Sequence, residues 1–410
     1  MRKSPLMGGQ HGTKAKKVGV NREMNVRKRI SITVKPTNDC NMRCKHCYHA
    51  EEGFDSTMMN PEDAKKMIYV ASKEYEDVYV VFHGGEPTLW GIDNFVSVLE
   101  YEEELMKQND NLVIKNSIQT NGVLLDDNWA DIFLKYNFTI GISFDGPHND
   151  DLRVHTEHVY QNLLMLKKRG LKFGVLCVES SLSIKNLRNT YEWFKNQGFD
   201  FKVLALFMSG EAKLHEELEL DIDEYVNELV ELFKYWLYDQ ECTISARTFE
   251  DLLKVSDRLY CIQYGGSCIY NRICINPNGD IYPCGRPYTD DFKLGNINTM
   301  SLISEAFATD AYLNLVRISN ERTSQCKEKC KFFGVCKGGC VSSAILEGSF
   351  EKIDNITCVR ARKLLTAITS INNEIYKKFD NGEDLDKINP KALEIMKNSR
   401  KGKYVYTHTK

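Results

Sequence analysis

The chain has 410 residues, enough for two domains with separate cores. Its 42% hydrophobic and 27% charged residues are those of an ordinary globular protein, which excludes the disordered and fibrous classes. A formal net charge of -3 gives no ground for nucleic-acid binding, and no apolar run nears the roughly 20 residues of a membrane span.

Residues 1–29 carry nine Lys/Arg against one acid, Glu23, and read as a basic flexible arm. Its start, Met1-Arg2-Lys3-Ser4-Pro5, has no apolar stretch behind it, so a cytoplasmic location is expected instead of secretion. Ile30, Ile32 and Val34 alternate as a half-buried strand does. Asn60-Pro61 then reads as a helix cap and first-turn proline ahead of Ala64, Met67, Ile68 and Ala71. Further strands are expected at 78–82, 112–119, 138–144, 171–178 and 201–207. Helical patterns fill the gaps at 95–106, 129–136, 159–166 and 187–194. A last one places Ile222, Tyr225, Val226, Leu229 and Phe233 on one face.

Six strand–helix units are too few for a closed eight-stranded barrel. The expected fold is α/β, a partial (β/α)6 barrel over residues 30–240 with its chemistry at the carboxyl ends of the strands. After residue 240 strands shorten while glycine and cysteine become frequent. Residues 241–380 therefore read as a small domain held by metal more than by a large apolar core, and 381–410 as a polar tail with one short helix.

Fourteen cysteines in a reducing compartment call for an explanation other than disulfides. Cys177 and Cys242 suit small buried hydrophobes, and Cys261 has no assigned role. The remainder are clustered, and clusters argue for metal. Cys40-Asn41-Met42-Arg43-Cys44-Lys45-His46-Cys47 sets three thiols on one loop after the first strand. Three thiolates leave one iron of a cubane with an open position, where substrate chemistry can occur. A structural zinc site is the alternative, though such sites usually show two separated cysteine pairs or histidine partners.

This triplet after the first strand of an incomplete barrel resembles the signature of the radical S-adenosylmethionine (SAM) enzymes. Gly84-Gly85-Glu86-Pro87 resembles that family's glycine-rich SAM loop. The resemblance implies a cluster on Cys40, Cys44 and Cys47. It also implies SAM contacts from His46, Gly84, Gly85, Glu86, Thr120, Asn121, Ser143 and Arg153. Glu86 would meet the SAM ammonium group, Arg153 its carboxylate, and His46 its adenine.

Cys268, Cys274, Cys284, then Cys326, Cys330, Cys336, Cys340 and Cys358 are similar to the SPASM extension of radical SAM enzymes that modify peptides and proteins. That likeness implies a second cluster on Cys268, Cys274, Cys284 and Cys340. A third would sit on Cys326, Cys330, Cys336 and Cys358, giving three [4Fe-4S] clusters in all. Between Cys326 and Cys330 stand three residues where the family usually has two.

Segments 117–122 and 141–147 resemble the anaerobic sulfatase-maturing enzymes, which convert a cysteine or serine of a sulfatase to formylglycine. Those carry an aspartate after the third SPASM cysteine. Here Gly285 stands there, and a glycine cannot accept a proton. The expectation therefore moves to a maturase that forges a thioether or carbon–carbon cross-link in a ribosomally made precursor peptide. Formylglycine formation is the alternative, with Glu250 as a weak candidate base. Arg247 and Arg286 read as salt-bridge formers. The implied partners are a peptide or protein substrate and a flavodoxin- or ferredoxin-like reductant. A multi-cluster electron carrier is the reading of another class, but a carrier needs no SAM loop.

Overall fold

The computed structural model describes residues 27–51, 53–254, 268–286, 288–348 and 356–400. Six parallel strands lie side by side in sequence order: β1 (Arg29–Val34), β2 (Asp77–Phe82), β3 (Val113–Thr120), β4 (Thr139–Ser143), β5 (Phe173–Glu179) and β6 (Asp200–Ala205). Helices α1 (Pro61–Ser72), α2 (Ile92–Gln108), α3 (Asp127–Lys135), α4 (Thr156–Lys168) and α5 (Leu187–Gln197) supply the crossovers, and α6 (Ile222–Tyr238) follows β6. The expected partial barrel is present. Asn60 caps α1 as its sequence predicts, its side chain accepting from Glu62 N with Pro61 in the first turn.

The pleat divides the sheet chemically. Ile30, Ile32, Val34, Val78, Val80, Phe82, Ile140 and Ile142 are buried under the helices. Phe82 meets Phe95 of α2 with ring centroids 4.6 Å apart, so truncating either ring to alanine should cost about 3–5 kcal/mol. The other face carries half-buried Ser31, Tyr79, Ser117, Gln119, Ser143 and Lys202. A parallel sheet buried on both sides would be apolar on both. This face is mixed, with half-buried Val81, Leu176, Val178 and Leu204 among those polar side chains.

The sheet continues beyond β1. Strand β7 (Arg272–Ile275) pairs with β1 in parallel, Thr33 opposite Cys274, and the antiparallel β8 (Asp280–Tyr282) and β9 (Gly295–Asn296) follow. Ile273, Ile275, Ile281, Leu294 and Ile297 join the same apolar core as the barrel. This differs from the expected small domain with little core of its own: backbone pairing to an open edge lets it share the barrel's. Residues 245–248 likewise belong to the barrel edge. Ala246 bridges to Phe201, and Thr248 Oγ1 accepts from Val203 N at 2.9 Å, covering the exposed side of β6.

The termini also depart from expectation. Residues 1–26 of the basic arm lie outside the described residues, and Arg27 and Arg29 anchor to Asp77 at 2.7 and 2.8 Å. The polar tail contains the expected helix, α10 (Pro390–Arg400), but that helix is docked. Helix α9 (Ile356–Asn381) packs along α6, and Ile388, Ala392, Ile395 and Met396 are buried. Asn389 Nδ2 donates to Trp236 O at 2.8 Å, a tie that composition does not reveal.

One buried carboxyl has a thermodynamic consequence. Glu102 of α2 accepts from Asn116 Nδ2 of β3, while Glu102 Oε1 and Asn116 Oδ1 have no hydrogen-bond partner among the described residues. Burial pushes the Glu102 carboxyl up to about 8, with the Asn116 hydrogen bond opposing. A proton on Oε1 would satisfy both orphaned oxygens. Below the unfolded carboxyl value of about 4.3 both states hold the proton and there is no penalty. Above it the unfolded chain ionises first, so stability falls as pH rises until the folded value is passed. Glu102→Gln should remove this slope and stabilise the fold at pH 8 by about 2–4 kcal/mol, with little change at pH 4.5. Urea unfolding at the two pH values measures it; an equal effect at both would reject a neutral Glu102.

Candidate functional site

The three-cysteine loop follows β1 and is held from three sides by segments at the carboxyl ends of other strands. Gly85 N donates to Thr37 O at 3.0 Å and Glu86 N to Asp39 O at 2.8 Å, after β2. Lys45 N donates to Leu152 O at 3.0 Å, after β4, and Glu211 N to Cys47 O at 3.0 Å, after β6. The glycines explain the closeness. A Cβ on Gly84 would lie 2.5 Å from Thr37 O, and one on Gly85 would lie 2.0 Å from Asp39 O. Gly210, with φ +58, is a third: its Cβ would sit 2.2 Å from Cys47 O. Sequence reasoning missed Gly210. A Ser-Gly pair just past a strand was its only signal.

The Gly84–Glu86 segment thus packs directly on the cysteine loop. Its two glycines make room for the cysteine loop. The Glu86 carboxylate is buried and turned into the protein: Oε1 accepts from Thr88 N at 3.0 Å and Thr120 Oγ1 at 2.7 Å, and Oε2 from Asn121 N at 2.8 Å. These bonds tie β2, β3 and the loop between them. Thr120 serves the same knot.

Arg153 has a buried protein partner. Its Nε donates to Asp145 Oδ2 at 2.8 Å, both side chains being almost fully buried, and Asp145 Oδ1 accepts from Val178 N at 2.8 Å. Burial works against ionising Asp145, and the guanidinium opposes it. The guanidinium charge also favours the Cys44 thiolate, against the larger effect of burial. Arg153 is therefore placed between a buried acid and the cysteine loop.

Asn121 Nδ2 donates to Asn41 Oδ1 at 2.7 Å beside Cys40, and Ser143 Oγ accepts from Gln119 Nε2 at 2.8 Å. His46 sits under the loop. Burial and then the Arg153 charge hold its pKa well below the ordinary range, so it is neutral.

Cys40, Cys44 and Cys47 are brought together. Burial, more than any other cause, pushes all three thiols up, Cys40 to about 12, so these thiols stay protonated until a cation displaces the proton. Asn38 Oδ1, Asn41 Nδ2 and His46 Nδ1 are buried around the loop without hydrogen-bond partners among the described residues. Orphaned polar atoms beside three thiols fit a metal cluster carrying a polar ligand.

The later cysteines fall into two groups. Cys268, Cys284 and Cys340 surround the buried Tyr288, whose hydroxyl receives a contact from Cys284 Sγ at 3.8 Å. Cys274 lies on β7 opposite Tyr282, two residues before Cys284. Cys326, Cys330 and Cys358 crowd Cys336, whose thiol is pushed up to about 11 by burial and then by their charges. Among the described residues no three His, Cys, Asp or Glu side chains close on the position of a single ion. Cys177 and Cys242 are core residues, as expected, and Cys261 lies outside the described residues.

Residues 34–194 match the Radical SAM superfamily, and residues 267–331 match SPASM, an iron–sulfur cluster-binding domain. A cysteine-type anaerobic sulfatase-maturating enzyme of Clostridium perfringens is 31% identical over 339 residues, which span 76% of this chain and 88% of that protein. The chain belongs to the radical SAM superfamily. A serine-type anaerobic sulfatase-maturating enzyme of Bacteroides thetaiotaomicron is 25% identical to this radical SAM protein, over 76% of it and 83% of the relative. The solved structure of anSMEcpe with bound AdoMet superposes with a TM-score of 0.72 at 26% identity, covering 84% of this chain and 99% of that one. Streptococcus suis SuiB shares the fold, with a TM-score of 0.60 at 20% identity over 81% and 77%.

Two candidates move away from this radical SAM site or change character. Glu250 lies on α7 (Arg247–Leu253), and its Oε1 accepts from Ser245 Oγ at 2.6 Å. Ser245 N itself binds Asp200, the first residue of β6. Glu250 therefore stands toward the amino end of β6, away from the carboxyl rim where a base is required. Arg247 forms the expected ion pairs, 3.1 Å to Asp251 and 3.8 Å to Glu250. Arg286 instead lies over the rings of Phe207 and Tyr48 at 5.3 and 6.0 Å and donates to Ser343 Oγ at 3.0 Å. Tyr48 Oη is 3.3 Å from His83 Nε2, a pair at the mouth that sequence reasoning did not single out. Gly285 has a packing reason: a Cβ there would come within 2.8 Å of Thr33 Cγ2 on β1.

Proposed function

We propose that this radical SAM protein oxidises a cysteine or serine side chain of a sulfatase-type protein to formylglycine, using SAM as the source of the hydrogen-abstracting radical. The observation that carries this reading is the 31% identity over 88% of a cysteine-type anaerobic sulfatase-maturating enzyme. A solved structure of anSMEcpe with bound AdoMet and the Cp18Cys peptide supports a peptide substrate. Cross-linking of a precursor peptide is the second reading. Gly285 favours it, because the position that carries an acid in sulfatase maturases holds none here.

Cys40, Cys44 and Cys47 would hold a cluster that, when reduced, supplies the electron for cleaving SAM into methionine and a 5′-deoxyadenosyl radical. The protein's part is placement. Gly84, Gly85 and Gly210 let three segments grip the loop, and Glu86 locks β2 to β3. Arg153, held by Asp145, presents positive charge at Cys44 and is placed to meet an anionic group of SAM. Tyr48 and His83 replace Glu250 as the groups able to move a proton at the mouth. Gly84 N donates to His83 Nδ1 at 2.8 Å, which leaves the Nε2 hydrogen directed at Tyr48 Oη. Cys268, Cys274, Cys284 and Cys340, and Cys326, Cys330, Cys336 and Cys358, would hold two further clusters that exchange electrons with a flavodoxin- or ferredoxin-like protein.

Anaerobic reconstitution should give about 12 irons per chain if three cubanes form. Replacing Cys40, Cys44 and Cys47 together with alanine should remove roughly one third of that iron and all SAM cleavage. Retained cleavage would overturn the site. The product decides between the two reactions. A cysteine peptide from a sulfatase should yield a hydrazine-reactive aldehyde with an intact fragmentation ladder. SAM cleavage that yields no aldehyde, with a cross-linked product from a neighbouring precursor peptide, would transfer the assignment to the second reading.

A further inference from the structure

Arg322 is the one functional-looking side chain near the second cysteine group that none of the proposed chemistry uses. It lies on α8 (Asp310–Lys329), one helical turn before Cys326 and on the same face. It is 3% exposed, and its Nε and Nη2 have no hydrogen-bond partner among the described residues. A guanidinium is always charged, and leaving such donors buried and unmatched is costly unless an anion or acceptor faces them. Buried Arg360 leaves one such nitrogen, Nε, and its guanidinium lies 5.5 Å over the Tyr225 ring; Arg322 leaves two. The groups that act electrostatically on Arg322 are thiols. Cys326, Cys336 and Cys358 come from one proposed cluster, and Cys340 comes from the other.

We propose that Arg322 donates hydrogen bonds from Nε and Nη2 to the sulfurs of an iron–sulfur cluster held by Cys326, Cys330, Cys336 and Cys358, on the side that faces Cys340. This rests on the reading that those cysteines hold a cluster. A thiolate-ligated cluster is anionic and accepts at sulfur, so it supplies what the orphaned donors lack. The consequence is electronic. A buried cation and sulfur hydrogen bonds stabilise the reduced state, which carries one more negative charge, and so raise the reduction potential. Because Arg322 also feels Cys340, it stands between the two C-terminal groups and biases an electron passing between them toward the Cys326 group. Arg322 is a positioning and tuning residue in this account, with no contact to the peptide.

The test uses the anaerobically reconstituted full chain, with Arg322→Gln and Arg322→Lys, iron counting and an EPR-monitored redox titration. Arg322→Gln should shift one C-terminal cluster signal to a more negative potential, or lose about one third of the iron if the donors are needed to retain that cluster. Arg322→Lys, which keeps the charge, should show the smaller effect. The signal removed by the Cys40/Cys44/Cys47 variant should keep its potential in both. Full iron with every potential unchanged would overturn the proposal. So would loss of all iron in both variants, which would mean that Arg322 serves the fold. If Cys326→Ala/Cys336→Ala removes no iron from the wild-type count, the cluster reading itself falls.

Discussion

Asp145→Ala should destabilise the protein by about 3–5 kcal/mol, because it leaves Arg153 buried and charged without its partner. The two side chains are 2% and 8% exposed, so solvent cannot replace what the mutation removes. Val178 N loses its acceptor in the same step, which adds an unsatisfied backbone donor at the end of β5. The deleted group is a small acid with no apolar area to lose, so the whole effect is electrostatic. The double variant Asp145→Ala/Arg153→Met should therefore recover most of the stability, since removing both charges is far cheaper than stranding one. It should not recover SAM binding, in which Arg153 is proposed to take part. Urea unfolding and SAM titration read the two effects separately. A loss below about 1 kcal/mol in the single variant would show that Arg153 finds solvent or another anion.

Gly85→Ala should abolish occupation of the three-cysteine loop. The added Cβ would lie 2.0 Å from Asp39 O and 2.6 Å from Asn38 O. These are backbone atoms of the very loop that carries the thiols, and they cannot swing aside as a side-chain end does. The Gly85 N–Thr37 O and Glu86 N–Asp39 O bonds break when the strands separate. Iron content should fall by roughly one third, as in the triple cysteine variant, with SAM cleavage lost. Gly170→Ala is the matched control. It has φ +76, and nothing lies within 4 Å of its Cβ position, so only backbone strain of about 1–2 kcal/mol applies. Equal iron in Gly85→Ala and Gly170→Ala would show that the loop can retreat without losing its geometry.

The residues around the cysteine loop can be picked out in the sequence, but their protein partners cannot. Cys40, Cys44 and Cys47 announce themselves by spacing, and the Gly84–Glu86 segment by its place after β2. Whether Glu86 faces a ligand or Thr88, Thr120 and Asn121 depends on a side-chain direction that no spacing encodes. The same holds for Arg153, whose partner Asp145 stands eight residues away across a turn. Gly210 and Arg322 were missed for a related reason. One is recognised only by the carbonyl of Cys47 against it, and the other only by its Nε and Nη2, which have no hydrogen-bond partner among the described residues.

By itself the sequence determined the six strand–helix units and the uneven clustering of the cysteines along the chain. These follow from periods of 2 and 3.6 residues, short crossovers and local spacing, all of which act over a few tens of residues. Tertiary structure decided what required distant segments to meet. It fused β7 to the open edge of β1, which gave the C-terminal segment a share of the barrel core. It docked α10 through Asn389 onto the end of α6, and it carried Glu250 toward the amino end of β6. It also closed the space beside Thr33 so that Gly285 has room for no side chain. Each of these is a contact whose free energy comes from desolvation and close packing between residues far apart in the chain, and neither quantity is written in the order of the amino acids.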